Sequence, residues 1–305
     1  MNRARLAGIA AITVTSILWG TTGTAATFAP GVGPLAIGAA ALGVGGLLQA
    51  AIAVPALRAA RPALRANRGL IVLGAAAVAI YPLAFYSSMH LAGVAVGSVV
   101  SLASAPLASG LLERIVERRR LSRWWMLAAG LGTIGATLLC LSKLAGGAGT
   151  GTSALWGIAL GLVAGITYAS YSWVAHRLIN RGIDRAASMG SVFGLGGALL
   201  LPVLALTGAP LLASPEAFAV AAYMALVPMF LGYLLFGYGL TTVSASTATT
   251  ITLTEPAIAT VLAVLIVGER LSGLGWIGLA VIALVLAILA VAPSNDDRLR
   301  PAPRL

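Results

Sequence analysis

The sequence predicts an all-α membrane protein with ten transmembrane helices, arranged as two inverted five-helix repeats with both termini cytoplasmic. Three observations predict it. The 305-residue chain is 59% hydrophobic and 9% charged, with a mean hydropathy of +0.99, a composition foreign to soluble globular domains. Apolar stretches of about 20 residues recur from end to end, and at about 1.5 Å per residue each crosses a hydrocarbon layer roughly 30 Å thick. The cluster GVGGLL at 43–48 returns as GLGGAL at 194–199. The runs are apolar on all sides rather than at alternate positions, which argues against barrel strands.

Apolar runs set against Gly, Pro and charged breakers place the spans near 5–29, 34–57, 69–90, 95–115, 123–143, 154–176, 187–208, 217–239, 245–267 and 273–292. The first follows MNRAR and extends to about Ala29, beyond a secretory signal core, so it is expected to remain as a permanent helix. The connections PGVGP, AGVA, GGAGTGTS, APLLASPE and GERLS are short, so neighbouring spans run antiparallel and leave no room for a soluble domain. Residues 1–148 form the first repeat, 149–293 the second, and 294–305 a disordered cytoplasmic tail.

Charge supports the count. With the N-terminus inside, the cytoplasmic segments hold Arg3 and Arg5, then Arg58, Arg61, Arg65 and Arg68, then Arg114, Arg118, Arg119, Arg120 and Arg123. They also hold Arg177, Arg181 and Arg185, then Arg298, Arg300 and Arg304, leaving only Lys143 and Arg270 outside. The net charge of +11 is thus spent on orientation. A nucleic-acid partner would need an aromatic or loop framework that the sequence lacks.

The glycine clusters open a longer correspondence. About 150 positions apart, Pro106 falls on Pro256, RLS at 120–122 on RLS at 270–272, and Trp19-Gly20 on Tyr168-Ala169. Five helices per copy is an odd number, so the second copy enters the membrane from the opposite side. The Arg-rich loop ERRRLSR then lies inside and its counterpart GERLS outside, with a single arginine. Inverted repeats offer two similar arrangements, open to either side, with a ligand site near the midplane between them.

These residues resemble a known family. LWG at 18–20, the apolar helix ending in GERLS before Trp276, TEP at 254–256 and the five-plus-five pattern look like the drug/metabolite transporter superfamily in its EamA branch. GVGP in the first outer connection, followed by a small-residue helix, is similar to YddG-type amino-acid exporters. The resemblance implies a secondary transporter in a bacterial inner membrane that exports aromatic or other neutral amino acids by alternating access. The alternative is a carrier of the same superfamily for another small metabolite or drug. The chain departs from the exporters in SLASAPLAS, which has no aromatic residue and implies a roomier pocket.

Depth selects the candidate binding residues. Trp19, Tyr81, Tyr168 and Glu255 lie roughly 15 to 21 Å into their spans, near the middle of the layer. Tryptophan and tyrosine ordinarily favour the interfaces, so these either line the substrate cavity or pack with internally satisfied hydrogen bonds. Tyr171 shares the face of Tyr168. Hydroxyl stripes run along two helices, Ser98, Ser101 and Ser104 in one, Thr247, Thr250 and Thr254 in the other. They line a polar path or bond back to their own helix, and Ser101, Ser104 and Thr250 sit nearest the midplane. Glu255 is the only acid deep in a span: it binds a substrate ammonium, carries a coupled proton, or bonds backbone groups freed by Pro256. Pro82, Pro106, Pro228 and Pro256 kink their helices, as hinges for alternating movement or as static bends.

Other classes find less support. An intramembrane serine protease wants a deep histidine, whereas His90 reads as interfacial and His176, beside Arg177, as solvated. A metalloprotease wants His-Glu-x-x-His, which is absent. A channel wants a continuous polar pore. The lone Cys140 reads as a packing residue, with no disulfide or multi-cysteine metal site. The chain is therefore expected to be a monomer that meets membrane lipid and a small-molecule substrate, with no cofactor, metal or catalytic residue.

Overall fold

The computed structural model describes residues 3–26, 28–92, 94–118, 120–144, 152–262, 265 and 273–291. The apolar runs fold as helices that begin and end at the breakers. The first spanning segment is α1 (Arg3–Gly20) followed after Thr21 by the short α2 (Thr22–Ala26). A turn with Gly31 at φ 87° leads into α3 (Pro34–Ile52), whose proline occupies the first turn, where no donor is missed.

The predicted run 34–57 stops early. Pro55 and Pro62 each open a new short helix, α4 (Val54–Ala59) and α5 (Arg61–Ala66), and their arginines are exposed. The long helices α6 (Arg68–Ala92), α7 (Val94–Val116), α8 (Arg123–Leu144) and α9 (Thr152–Asn180) follow. Gly182, at φ 80°, reverses the chain after α9. Asp184 then caps α10 (Arg185–Thr207), its carboxylate accepting the N–H groups of Ala186 and Ala187 at 2.8 and 3.2 Å.

The predicted span 217–239 is composite: α11 (Pro215–Met224), a π-helical turn over Ala225–Leu231 around Pro228, and α12 (Gly232–Gly239). The predicted span 245–267 is divided: α13 (Ala245–Ile251) and α14 (Thr254–Leu262) are separate helices. The last helix is α15 (Gly273–Val291).

Among the described residues seven helices are long and apolar enough to cross a membrane: Arg3–Ala26, Pro34–Ile52, Arg68–Ala92, Val96–Val116, Ser153–Asn180, Arg185–Thr207 and Pro215–Gly239. The other three predicted spans correspond to α8, to the divided α13 and α14, and to the shorter apolar α15. Cys140's side chain, the GERLS connection and the tail lie outside the described residues. Outward faces carry bare apolar side chains such as Leu206, Leu155 and Ile115, as lipid contact requires. Exposed Trp124, Trp156 and Trp276 sit near helix ends, where an aromatic belt belongs.

Small residues decide the packing. The two glycine clusters meet each other: a Cβ on Gly43 would touch Leu200 and the Gly197 carbonyl, one on Gly197 would lie 2.6 Å from the Gly43 carbonyl, and one on Gly46 would collide with the Phe193 carbonyl. Ala50 faces Gly194 and Ala53 faces Gly190, so α3 and α10 run antiparallel with their backbones in direct contact. Elsewhere α9 packs on α6 and α7, α1 packs on α12, α13 and α14, and α8 packs on α15.

Candidate functional site

Aromatic residues placed by five helices converge on one cluster. Trp19 of α1 meets Tyr233 and Phe236 of α12 at centroid distances of 4.8 and 5.5 Å, and Tyr168 of α9 edge-on at 6.0 Å. Tyr81 of α6 lies 5.6 Å from both Tyr168 and Tyr171 and stacks on Phe85, one turn along, at 5.5 Å. Phe193 of α10 completes the cluster, 4.4 Å from Tyr233.

The buried polar atoms of Trp19, Tyr168, Tyr171 and Tyr233 are paired. The Trp19 indole N–H donates to the Pro228 carbonyl at 2.9 Å and the Thr15 hydroxyl to the Gly232 carbonyl at 3.0 Å, so α1 is bonded once to the π turn and once to the start of α12. Tyr171 and Tyr233 share a hydroxyl–hydroxyl bond of 2.6 Å, and Tyr168 bonds the Thr252 hydroxyl at 2.7 Å. Thr252 lies at the break between α13 and α14, so Tyr168 of α9 reaches the point where the predicted helix divides.

A cavity opens on one side of this cluster. Its space, about 360 Å³ including the open mouth, leaves room for water rather than for a metabolite. Trp19, Thr22, Gly38, Ala41 and Leu42 form one wall, Tyr81, Pro82, Phe85 and Tyr86 a second, and Met229, Tyr233 and Glu255 the third. Both sequence halves contribute. The lining falls late in α1 and α6 and early in α3, toward the helix ends opposite those that carry arginines.

Glu255 is the chemical focus. It sits in the first turn of α14, 8% exposed, and its Oε2 is buried without a hydrogen-bond partner among the described residues. Gln49, Trp125 and Ser172 also hold buried unpartnered atoms, but none of them lines the cavity. Pro256, at the third position of α14, does not kink a continuous helix as the sequence implies. It opens the second piece after the chain has already turned at residues 252–253, in a position where its missing N–H is harmless. Pro106 and Pro82 stay inside unbroken α7 and α6, and Pro228 lies in the π turn.

The structure thus gathers Trp19, Tyr81, Glu255, Pro82 and, behind them, Tyr168 and Tyr171. It does not bring Ser101, Ser104 or Thr250 to the cavity. Their hydroxyls donate to their own helices, at the carbonyls of Gly97, Val100 and Ser246, at 2.6 to 2.7 Å. Ser104 lies where α7 crosses Gly165 of α9.

Sequence reasoning missed Phe85, Tyr86 and Tyr233. Phe85 stands one turn from Tyr81, and that spacing was the available signal. It missed Glu113 too, which is a second buried carboxylate at 5% exposure, near the end of α7. Its oxygens accept the N–H and hydroxyl of Ser246 at 2.9 and 2.8 Å, capping α13 from another helix.

His176 is buried rather than solvated. The Leu240 carbonyl, 2.9 Å from Nδ1, can only accept, so Nδ1 carries the proton and Nε2 accepts from the Asn180 amide at 2.8 Å. Arg177 instead pairs with Glu117 at 3.5 Å, and the same carboxylate accepts the Trp173 indole N–H at 3.0 Å. His90 is exposed at the end of α6, as expected. Among the described residues no group of three or more His, Cys, Asp or Glu is placed to hold a metal ion.

Comparisons with known proteins give the family. Residues 6–141 and 155–291 each match the EamA-like transporter family. A curated relative, the "Uncharacterized transporter YwfM" of Bacillus subtilis (strain 168), is 32% identical over 288 residues, covering 93% of this chain and 94% of the relative. A solved crystal structure superposes with a TM-score of 0.74 at 19% identity, over 95% of this chain and 98% of the other, which shows the fold alone. With both halves matched, the chain belongs to the EamA-like transporter family of the drug/metabolite transporter superfamily and is a multi-pass membrane transporter of a small molecule.

Proposed function

We propose that the protein is a secondary carrier that works by alternating access, with its substrate held in the cavity between α1, α3, α6, the π turn and α14. The carrying observation is Glu255: a buried carboxylate with an unpartnered oxygen at a cavity to which both halves contribute. Such a group needs a proton, a cation or a substrate ammonium. The cavity as it stands is too small for a metabolite, so loading it requires the two halves to separate.

The proposal includes ten spans as two inverted repeats, 1–148 and 149–293, a tail at 294–305 and both termini in the cytoplasm of a bacterial inner membrane. Reciprocal packing supports inversion. α1 packs on the helices near Pro228 and Pro256, and α9 on those of Pro82 and Pro106, while the repeated glycine clusters of α3 and α10 face each other antiparallel. The proposed site is Trp19, Tyr81, Tyr168, Tyr171 and Glu255, with Pro228 and Pro256 as hinges; Ser101, Ser104 and Thr250 serve their own helices and fall outside it, and Pro82 and Pro106 lie in unbroken helices and are not counted as hinges.

The finer reading is export of neutral amino acids, aromatic ones included, with the ammonium on Glu255 and the side chain against the aromatic wall. A second reading, a carrier for another metabolite or drug, is favoured by the absence of any basic residue from the cavity lining among the described residues. Purified protein in liposomes, offered a panel of labelled amino acids with and without a proton gradient, tests both. Gradient-dependent accumulation or exchange of an aromatic amino acid is the expected result. No movement of any amino acid would defeat the finer reading, and indifference to the gradient would remove proton coupling.

A further inference from the structure

We infer that the cavity selects its substrate by positive charge, taking an aryl-bearing amine through its ammonium group on Glu255 and providing no charged partner for a carboxylate. This rests on the reading of the cavity as the transport site. Among the described residues lining it, Glu255 is the one acid, and none is Lys, Arg or His. Its Oε2 has no partner among the described residues, so an arriving ammonium completes an ion pair that they leave unmade.

The walls favour a cation a second time. Trp19, Tyr81, Phe85, Tyr86 and Tyr233 surround the same space, and ring faces attract ammonium groups within about 6 Å of their centroids. They offer an anion no positive charge, and two donors at the cavity are already engaged: the Trp19 N–H by the Pro228 carbonyl, and the Thr22 hydroxyl by the Trp19 carbonyl at 2.7 Å. Tyr81 and Tyr86 line the same cavity as Glu255, so a carboxylate bonded to their hydroxyls would sit beside an acid instead of a cation. A zwitterionic amino acid would therefore gain its ammonium contact and lose the hydration of its carboxylate with no cation in return.

Three probes with one ring and one chain length separate the terms: 2-phenylethylamine, L-phenylalanine and 3-phenylpropanoate. Equilibrium binding to the full-length protein in detergent is expected to rank the amine at least about tenfold tighter than phenylalanine, and phenylalanine at least about tenfold tighter than the phenylpropanoate. Glu255→Gln should erase the preference for the amine and Glu255→Asp should restore it, which distinguishes lost charge from lost fold. Phenylalanine binding as tightly as the amine, or an amine preference that survives Glu255→Gln, overturns the inference.

Ala41→Cys in a Cys140→Ser background reports on the site itself. If phenylalanine protects Cys at 41 from a thiol reagent while the amine has no advantage, charge selection fails and the cavity stands as the site. If none of the three probes binds or protects, both fail.

Discussion

Helices that correspond between the two halves treat their prolines differently. α7 runs unbroken from Val94 to Val116 through Pro106, whereas its counterpart is divided into α13 and α14, with Glu255 and Pro256 in the first turn of the second piece. α6 likewise continues through Pro82, while Pro228 lies in a π turn that α1 bonds through Trp19. The unbroken α6 of the first half supplies an aromatic wall of Tyr81, Phe85 and Tyr86. The irregular helices of the second half supply the acid and the segments with the least regular backbone, the usual places for a membrane site and for movement.

If the second half carries the chemistry, the largest effect belongs to its acid. Glu255→Gln is expected to lower substrate exchange in liposomes by about a hundredfold or more, against no more than about threefold for Ser101→Ala or Ser104→Ala, whose hydroxyls serve their own helix. An equal loss from the serine variants would move the site into the first half.

Next come positions where the halves should behave alike. Gly46→Ala and Gly197→Ala each drive a methyl into a carbonyl of the facing helix, and each is expected to destabilise by about 1 to 3 kcal/mol, read as a fall in unfolding temperature in detergent. Gly43→Ala, whose methyl would lie 3.3 Å from the Leu200 side chain and 3.7 Å from the Gly197 carbonyl, should lose far less. A tolerant Gly197 beside an intolerant Gly46 would show the seam to be one-sided.

Prolines give a finer contrast. Pro256→Ala restores a donor at the break and should slow exchange several-fold without lowering stability. Pro106→Ala relieves an interior proline and should leave exchange within about twofold while raising stability. The reverse order would place the mobile element in α7.

The smallest effect is Trp19→Phe, which keeps the ring but loses the bond to Pro228. It should destabilise by about 1 kcal/mol and leave exchange detectable, as measured by thermal unfolding and transport together.

Much of this was legible from the residues because long apolar runs and their breakers dominate. The span read at 69–90 is Arg68–Ala92, and that at 187–208 is Arg185–Thr207. The break at Thr252–Leu253 was not legible, because no Gly or Pro stands at residues 252–253 and the turn is tied to Tyr168 from a distant helix. Depth found Trp19, Tyr81, Tyr168 and Glu255, and they do meet. It does not say which way a side chain faces, so Tyr233 and Phe193, equally buried, gave no signal.

Hydroxyl stripes were degenerate, since a serine bonded to its own carbonyl and one facing a cavity share the same spacing. Glu113 stands one turn from a helix end, a place that by itself marks no role. Only the arrival of Ser246 beside it makes it a cap.

The most direct test is trans-stimulated exchange of a labelled substrate in liposomes, run in parallel on the unaltered protein and on Glu255→Gln verified as folded. The account predicts that unlabelled substrate on the far side accelerates exchange in the unaltered protein and that the acceleration vanishes with Glu255→Gln. Flux without trans-stimulation, or exchange undiminished by that substitution, would contradict it.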